Sequence, residues 1–552
     1  MNKWFRKYWV ELLAFGAIFG VLLMCCIPDI TWINTDCDGP HYIYSAKYLY
    51  PAHKTSAPLF LLLGNLFLRL PFATEAWRIS LLSVLATMGT CTFIYLAIKQ
   101  HTSNKWYSLA GVLTFGSSAL LISQSTIVES YALTTMFGAA AYYFSIKKKW
   151  VLTALMLGAG GAVHHLIGIP IVVLLIVNKE LRQWRYLGIM ACFLLFYAYI
   201  PLSKYFLNPP NMWGNMGLQS FFTDNLTTAL MLIGGLSIWD LPKRIFDALG
   251  ILGVSFTLAL VPLAIALKQW KKPLFWLFVL PIIYFISDLS PQTYVYIMPS
   301  IAAGAVLVGI GLARMKLNWT WAVIGAAILM LGFNAVYFDV GRTLDPELSA
   351  RKFYDEELSK VPDGEILMAQ QGWEWAIVFP YNKDEGRKIV PVCVGTLASP
   401  GYRDVLNELG VKFTMPANWK KMTLGEIQNA IAMSIVHSNE NVWTTQPTTP
   451  RTYGAKIVHA IGQESELAQV PKSITGGEMD MIWRWKPHNP YDIITGAIEV
   501  EDWTWLVFSN YSVLLFTMLG TIGAVPVWIG YMLIVKRKKW SFRKVQEVVF
   551  NA

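Results

Sequence analysis

Charged residues are scarce in this chain of 552 residues. Asp, Glu, Lys and Arg make up 14% of it, whereas a soluble protein has roughly 25%. Hydrophobic residues make up 55%. A water-soluble chain of this length would need many more charges to cover its surface. The shortage excludes a disordered chain and a typical soluble enzyme, and it predicts a polytopic α-helical membrane protein.

Cysteine is also scarce, with six residues, which excludes a disulfide-rich secreted domain. Two of them, Cys37 and Cys393, are expected outside the membrane, where a bridge between them is an open alternative without other support. The four that are expected to be core residues of apolar stretches are Cys25, Cys26, Cys91 and Cys192.

Acidic residues are fewer than basic ones, 35 against 45, which gives a formal net charge of +10. In a membrane protein, Lys and Arg concentrate in cytoplasmic loops. If all the basic clusters are cytoplasmic, the predicted spans alternate without conflict and both termini are cytoplasmic. The charge then indicates membrane lipids as a partner, and no nucleic acid. The clusters are Lys3/Arg6/Lys7, Lys99/Lys105, Lys147–Lys149, Lys179/Arg182/Arg185, Lys268/Lys271/Lys272, Arg314/Lys316 and Lys536–Lys539.

A membrane-crossing helix needs about 20 apolar residues. The apolar runs predict about twelve spans, near 10–28, 79–98, 106–124, 127–146, 150–164, 166–178, 186–205, 246–267, 273–288, 294–313, 319–338 and 506–535. The predicted units are a transmembrane module at 1–338 with external loops 29–78 and 206–245, an external soluble α/β domain at 339–505, and a last transmembrane helix with a basic cytoplasmic tail at 506–552. In the domain, strands are predicted at 365–369 and 389–394, and helices at 347–358 and 402–409.

The first external loop carries two carboxylates, Asp36 and Asp38, two residues apart. Such a pair can hold a divalent cation, Mg²⁺ or Mn²⁺, or act as a general base. The alternative is that these Asp residues only cap a helix.

Other polar groups are predicted on the same side of the membrane. Glu129 lies at the start of a span, where it could also complement the helix dipole, with Ser125 or Thr126 as the cap. His164 and His165 form an adjacent pair in an apolar turn, and ionisable groups at membrane depth are functional candidates.

Three cations, His53, Lys54 and Arg78, lie toward the end of the first external loop. Each alone could pair with lipid headgroups. Together with the acids they form a mixed-charge face, which suits a reaction on a lipid-phosphate donor. The cations would hold the phosphate as a leaving group, and a carboxylate would accept the proton of an attacking hydroxyl.

Several motifs, in this order, resemble a family of multi-span protein O-mannosyltransferases that includes the enzyme acting on plexin-type receptors and bacterial homologues. The match is good over about 30–220 and weaker at 371–374. The motifs are Asp38-Gly39-Pro40-His41, His53-Lys54-Thr55-Ser56, Leu70-Pro71-Phe72 before Arg78, Val128-Glu129-Ser130-Tyr131-Ala132-Leu133, His164-His165, and Pro201-Leu202 before Asn208-Pro209-Pro210-Asn211-Met212-Trp213-Gly214-Asn215.

Two positions depart from the family pattern. The family has Glu where this chain has His41, and it has His-Pro-Pro-Gly where this chain has His53-Lys54-Thr55-Ser56. The departures suggest an altered donor or acceptor, and Asp36 could supply the missing second carboxylate.

The resemblance implies a GT-C type glycosyltransferase that moves a sugar, mannose favoured, from a polyprenyl-phosphate donor to a hydroxyl of a protein, lipid or glycan acceptor, with inversion. It implies a prokaryotic plasma membrane with the active site on the extracytoplasmic face. It also implies Asp38 as the base, with Asp36 as the second choice or a metal ligand. The implied donor-phosphate residues are His53, Arg78 and Lys54, and the implied sugar or acceptor residues are His41, Tyr42, Glu129, His164, His165 and Trp213.

Two other function classes stay open from the sequence. A transporter or flippase of lipid-linked sugars would fit the short hairpin at 150–178, although no internal repeat is visible. A polysaccharide or peptide receptor would use the external domain, in which Trp373 and Trp375 could stack on a ligand or simply pack in the core.

Overall fold

The computed structural model describes most of the chain as far as residue 444. The described residues are 3–30, 38–52, 57–199, 202, 205–206, 241–268, 271–287, 293–315, 317–343, 354–355, 358–369, 372–398, 400–422, 424–439 and 442–444. The predicted last span and basic tail at 506–552 lie outside these residues.

Helices dominate the first part of the chain, as the long apolar runs predict. They are α1 (Lys3–Met24), α2 (Gly39–Tyr48), α3 (Pro58–Leu68), α4 (Glu75–Thr102), α5 (Lys105–Gly116), α6 (Ala119–Ser125), α7 (Tyr131–Ile146), α8 (Trp150–Gly161), α9 (Gly168–Val177), α10 (Trp184–Cys192), α11 (Leu241–Phe256), α12 (Leu260–Leu267), α13 (Pro273–Ser287), α14 (Met298–Leu312) and α15 (Leu317–Thr343). Each predicted span up to residue 338 overlaps one or two of these helices.

Five stretches among the described residues are long and apolar enough to cross a membrane: Arg6–Met24, Glu75–Thr102, Arg244–Leu267, Tyr294–Leu312 and Asn318–Ala335. A sixth appears if α5 and α6 form one span. Several other helices are apolar but shorter, among them α8 and α13. The chain is therefore an integral membrane protein, and the count of about twelve spans stays a prediction.

Two predicted spans have different bounds in the structure. The run predicted as one helix at 106–124 is broken between α5 and α6, which meet at 64°. Asn334 of α15 donates a hydrogen bond to the Ser117 carbonyl at the break (2.7 Å), which satisfies a group that a continuous helix would have used. The helix predicted at 127–146 begins only at Tyr131.

Glycines let the central helices approach closely. A Cβ on Gly311 of α14 would lie 1.9 Å from the Pro262 carbonyl oxygen of α12. A Cβ on Gly111 of α5 would lie 2.7 Å from the Ala305 carbonyl oxygen of α14. Small residues at such crossings are typical of helix packing in membranes, where close backbone contact replaces the hydrophobic effect.

The later part of the chain contains a small α/β unit. A parallel sheet of order β2–β1–β3 is built from β1 (Ile366–Ala369), β2 (Val390–Cys393) and β3 (Val442–Thr444). Its helices are α16 (Gly372–Asp384), α17 (Pro400–Glu408) and α18 (Leu424–Ser438). β1, β2 and α17 coincide with predicted elements. The predicted helix at 347–358 falls mostly outside the described residues, and the external location of the unit stays a prediction.

The chain has separate hydrophobic cores in the helical bundle and in the α/β unit. Helix α2 contributes to both, because Tyr42 packs in the bundle core and Tyr44 in the core of the α/β unit. Cys393 is buried in the latter core, and its predicted alternative partner Cys37 lies outside the described residues. Cys192, predicted to be a core residue, is exposed because it lies at the end of α10, a helix with few buried side chains.

Candidate active site

Asp38 occupies the position just before α2. Its backbone carbonyl accepts the first helical hydrogen bond from the Tyr42 amide (2.8 Å), and Pro40 suits the first turn because its fixed φ matches the helix. The Asp38 carboxylate makes no capping bond to the helix. The alternative that this Asp only caps a helix is therefore wrong, and its carboxylate is left for other contacts.

Glu129 lies in the turn between α6 and α7 and is buried, with 4% exposure. Its carboxylate accepts a hydrogen bond from the Ser130 amide (3.2 Å). Ser83 of α4 donates to the Glu129 carbonyl (2.9 Å), and this bond fixes the turn from the side. Neither Ser125 nor Thr126 caps α7, because Thr126 bonds back to Ile122 and the helix begins five residues further on.

Tyr42 connects the two carboxylates. Burial raises the pKa of the Tyr42 hydroxyl well above its usual value, and the negative charges of Glu129 and then Asp38 raise it further. Its ring packs edge-on against Phe60 of α3, with centroids 5.2 Å apart. The structure therefore brings Asp38, Tyr42 and Glu129 into one site.

The histidine pair lies beside this site, at the turn between α8 and α9. The His164 ring is buried, and its Nδ1 accepts a hydrogen bond from the Leu166 amide (3.2 Å). Tyr131, which lies within electrostatic range of both carboxylates, has its ring centroid 5.1 Å from that of His164. His165 is exposed, so the pair offers one fixed ring and one accessible ring.

Two tyrosines that the sequence reasoning missed complete this aromatic group. The Tyr284 hydroxyl of α13 lies 3.2 Å from His165 Nε2. The ring of Tyr296, just before α14, lies 6.0 Å from each histidine ring. The sequence pattern that could have identified them is a tyrosine near the predicted external end of an otherwise apolar span.

An apolar cavity lies in the bundle next to the histidines. Leu166, which directly follows them, lines it together with Phe93 of α4, Thr134 of α7, Pro281 of α13 and Ala302 of α14. The site thus has polar and aromatic groups on one side and an apolar slot between helices on the other.

A buried pair of charged residues was also missed. Arg244 and Asp247 lie one helical turn apart on α11 and are 8% and 3% exposed. The Arg244 guanidinium lies 5.4 Å from the centre of the Phe285 ring, and Phe285 follows Tyr284 on α13. Two ionisable residues at this spacing, at the start of an apolar helix, could have been identified in the sequence as candidate functional residues, because buried charges in spans usually serve a function.

Arg78 lies on the first turn of α4, and the structure gives it a local role. Its guanidinium donates hydrogen bonds to the carbonyls of Leu68 (2.5 Å), Leu70 (2.6 Å) and Thr74 (3.2 Å). It therefore ties the end of α3 to the start of α4, and its donor-phosphate role stays a prediction. The predicted site residues that lie outside the described part of the chain are Asp36, His53, Lys54 and Trp213.

His41 points toward the α/β unit. It is 3% exposed, and its ring lies edge-on to the Trp375 ring of α16, with centroids 6.0 Å apart. Trp375 is itself 1% exposed, so the core-packing alternative applies to it. His41 is thus a contact between the loop helix and the α/β unit.

The donor set for a metal ion is incomplete among the described residues. No group of three or more His, Cys, Asp or Glu side chains lies close enough together to hold one. Asp36, the predicted second ligand beside Asp38, is outside the described residues. Whether Asp36 and Asp38 hold a divalent cation therefore stays a prediction.

Comparison with known proteins bears on these residues. Residues 38–185 match a family model described as the N-terminal domain of the protein O-mannosyl-transferase TMEM260. The matched range contains Asp38, Arg78, Glu129 and the histidine pair. The predicted resemblance to protein O-mannosyltransferases is confirmed over this range. No curated protein matches the chain.

Two similar solved structures are those of GT-C membrane enzymes. One is ArnT from Cupriavidus metallidurans bound to undecaprenyl phosphate, with 13% identity, 74% of this chain and 95% of that chain covered, and a TM-score of 0.48. The other is an Archaeoglobus fulgidus oligosaccharyltransferase tethered with an acceptor peptide, with 9% identity, 79% of this chain and 72% of that chain covered, and a TM-score of 0.41.

Proposed function

We propose that this chain, which is similar to protein O-mannosyltransferases over residues 38–185, is a membrane glycosyltransferase. It moves a sugar, mannose favoured, from a polyprenyl phosphate to an acceptor hydroxyl on the external face of the membrane. Asp38 is the general base, and the anomeric carbon inverts.

The observation that carries the proposal is that the Asp38 side chain does not cap α2. An Asp at this position usually bonds the helix amides, which stabilises a protein by about 1 kcal/mol. The Asp38 carboxylate does not make that bond, and both it and Glu129 lie within electrostatic range of the buried Tyr42 hydroxyl. A carboxylate that is not used for capping, in the same site as the buried acid Glu129, suits proton transfer better than helix stability.

The reaction that this arrangement supports is a single displacement. Asp38 accepts the proton of the acceptor hydroxyl while the acceptor oxygen attacks the anomeric carbon. The bond from that carbon to the phosphate oxygen breaks, and the phosphate leaves with the electron pair. The products are a glycoside, a polyprenyl phosphate and a protonated Asp38, which returns its proton to water.

The donor side uses the groups around the histidine turn. The prenyl tail lies in the apolar cavity beside Leu166, and His165 and Tyr284 contact the sugar or phosphate at its mouth. Arg244 supplies a buried positive charge for the phosphate, in addition to the predicted cations His53, Lys54 and Arg78. A guanidinium suits this role because it stays charged when buried and can bond two phosphate oxygens at once.

The first experiment tests the reaction itself. Purified protein in lipid nanodiscs is incubated with short-chain prenyl-phosphate sugars and a hydroxyl-bearing peptide or glycan, and the released prenyl phosphate is measured. We expect release with at least one sugar, mannose first. If no donor in the panel yields prenyl phosphate, the transferase proposal is wrong. The anomeric configuration of the product, read by NMR, decides between inversion and retention.

Replacing the base should abolish most of the rate. Asp38→Asn keeps the shape of the side chain but cannot accept the proton, so we expect kcat to fall about 100-fold or more. Asp404→Asn is the matched control, because Asp404 is an exposed acid on α17. An unchanged kcat in Asp38→Asn would assign the base to another residue, with Glu129 as the next choice.

Removing the buried cation should weaken donor binding. Arg244→Ala removes charged hydrogen bonds to the phosphate, so we expect the donor KM to rise about tenfold or more. Arg314→Ala is the control, because Arg314 is an exposed arginine just after α14. A donor KM equal to that of the wild type would remove Arg244 from the site.

A further inference from the structure

The loop helix α2 packs along α16 of the α/β unit in successive layers. In each layer a side chain of α2 contacts a side chain of α16. From one layer to the next the residue number increases in both helices, so the two helices run in the same direction. Ring centroids are 6.0 Å apart in the first two layers, and in the third a lysine Nζ lies 3.8 Å from a ring centre. The pairs are His41 with Trp375, Tyr44 with Phe379, and Tyr48 with Lys383.

A carboxylate closes the last layer. Asp384 accepts two hydrogen bonds from Lys47 Nζ (3.0 and 2.9 Å) and one each from the hydroxyls of Tyr48 and Tyr354, the latter at 3.3 Å. Lys47 also pairs with Glu75 at the start of α4 (3.2 Å). This group, which we call the Asp384 clamp, therefore joins α2, α4 and α16 at one point.

The clamp has more strength than an ordinary surface ion pair. The Lys47 and Asp384 side chains are only 28% and 29% exposed, so water screens their attraction incompletely. Burial opposes both charges. At Lys47, the contacts with Asp384 and Glu75 outweigh the effect of burial and raise the lysine pKa. At Asp384, the hydrogen bonds from Tyr48 and Lys47 outweigh it and lower the carboxyl pKa.

Asp38 lies at the opposite end of the same helix. α2 has ten residues, which corresponds to a length of about 15 Å. A small tilt about the clamped end would therefore shift the Asp38 carboxylate by about 1 Å, and such a displacement of a catalytic group can lower a rate by about 100-fold. The position of the base thus depends on a contact made at the far end of its helix.

We propose that the α/β unit positions the catalytic base through the Asp384 clamp, with Asp384 and Lys47 as positioning residues. The inference rests on the proposed transferase function. In this proposal, α16 orients α2. The α/β unit thereby affects the rate of the chemical step, in addition to any role in binding the acceptor. Neither residue contacts the reacting atoms.

The test compares two carboxylates of the same unit in the full-length protein. Asp384→Asn weakens the clamp. Asp363→Asn, the matched control, breaks the ion pair of Asp363 with Arg387 (2.6 Å), which does not involve α2. We expect kcat for prenyl-phosphate release to fall about tenfold in Asp384→Asn, with a donor KM near the wild-type value. Asp363→Asn should keep the wild-type kcat.

Hydrogen exchange gives a readout that needs no turnover. Amides of residues 39–48 should exchange about tenfold faster in Asp384→Asn than in the wild type, because α2 loses its anchor. Lys47→Arg should restore most of the protection and the rate that Lys47→Met loses, because it keeps the charge. Unchanged exchange over 39–48 in Asp384→Asn, or unchanged kcat in an active enzyme, would overturn the inference. A wild type that is inactive on every donor would instead reject the proposed function, and the exchange data would still decide whether Asp384 anchors α2.

Discussion

The two ends of α2 use a carboxylate in opposite ways. At the C-terminal end, Asp384 accepts hydrogen bonds from Lys47, Tyr48 and Tyr354 and holds three helices together. At the N-terminal end, Asp38 occupies the position where an Asp normally bonds the helix amides, and its side chain makes no such bond.

The difference between these carboxylates matches the two roles that we propose, positioning for Asp384 and proton transfer for Asp38. Asp384 is surrounded by donors that stabilise its charged form, which makes it a good anchor and a poor proton acceptor. The Asp38 side chain makes no capping bond and, like Glu129, lies within electrostatic range of the Tyr42 hydroxyl. The absence of an expected cap is thus a stronger sign of function than the presence of an aspartate in a loop.

The largest expected effect comes from combining the substitutions of Asp38 and Asp384 in one protein. It tests whether the two carboxylates have different roles. If Asp384 acts only by positioning Asp38, Asp384→Asn should add little once the base is gone. We expect the double variant Asp38→Asn/Asp384→Asn to lose about 100-fold in kcat, close to the loss in Asp38→Asn alone. The measurement is kcat for the four members of the cycle. Losses that multiply would mean that Asp384 contributes independently of the base.

A smaller expected effect concerns pH. The Asp384 pKa is lowered in the folded protein. The stabilisation from the clamp is therefore present above the ordinary carboxyl pKa, and it is lost only as pH falls through the lowered value. Between about pH 5 and 8 the clamp should be constant. We expect kcat profiles of the same shape for the wild type and Asp384→Asn over that range, differing only in height. A profile that changes shape would show that the clamp titrates with the catalytic group.

The helices were largely predictable, because apolar runs of the right length leave a chain few alternatives in a membrane. The break between α5 and α6 was not, since it is stabilised by Asn334, 217 residues away from Ser117. The start of α7 at Tyr131 was missed for a similar reason, because the turn before it is fixed by Ser83 of α4 and by the amide of Ile27, which bonds the Thr126 carbonyl.

The candidate site was predicted in part. Asp38, Glu129 and the histidine pair were predicted from ionisable residues at the ends of apolar runs. The structure brings them together, and their roles stay predictions. The contact of Lys47 with Asp384 spans 337 residues and leaves no local pattern. Arg244 and Asp247 did leave one, but the predicted boundary between the loop at 206–245 and the span at 246–267 separated them.

The sharing of α2 between two cores also has a consequence for biosynthesis. The loop helix leaves the ribosome long before its partner, since 337 residues separate Lys47 from Asp384. At roughly 5–20 residues per second, the delay is about 20 to 70 s. During that time Tyr44 has no core to enter and the helix has no anchor. If Asp38 is the base that we propose, a nascent chain carries it in an unaligned state, and we expect transfer to begin only after the α/β unit has been made and has folded onto the loop.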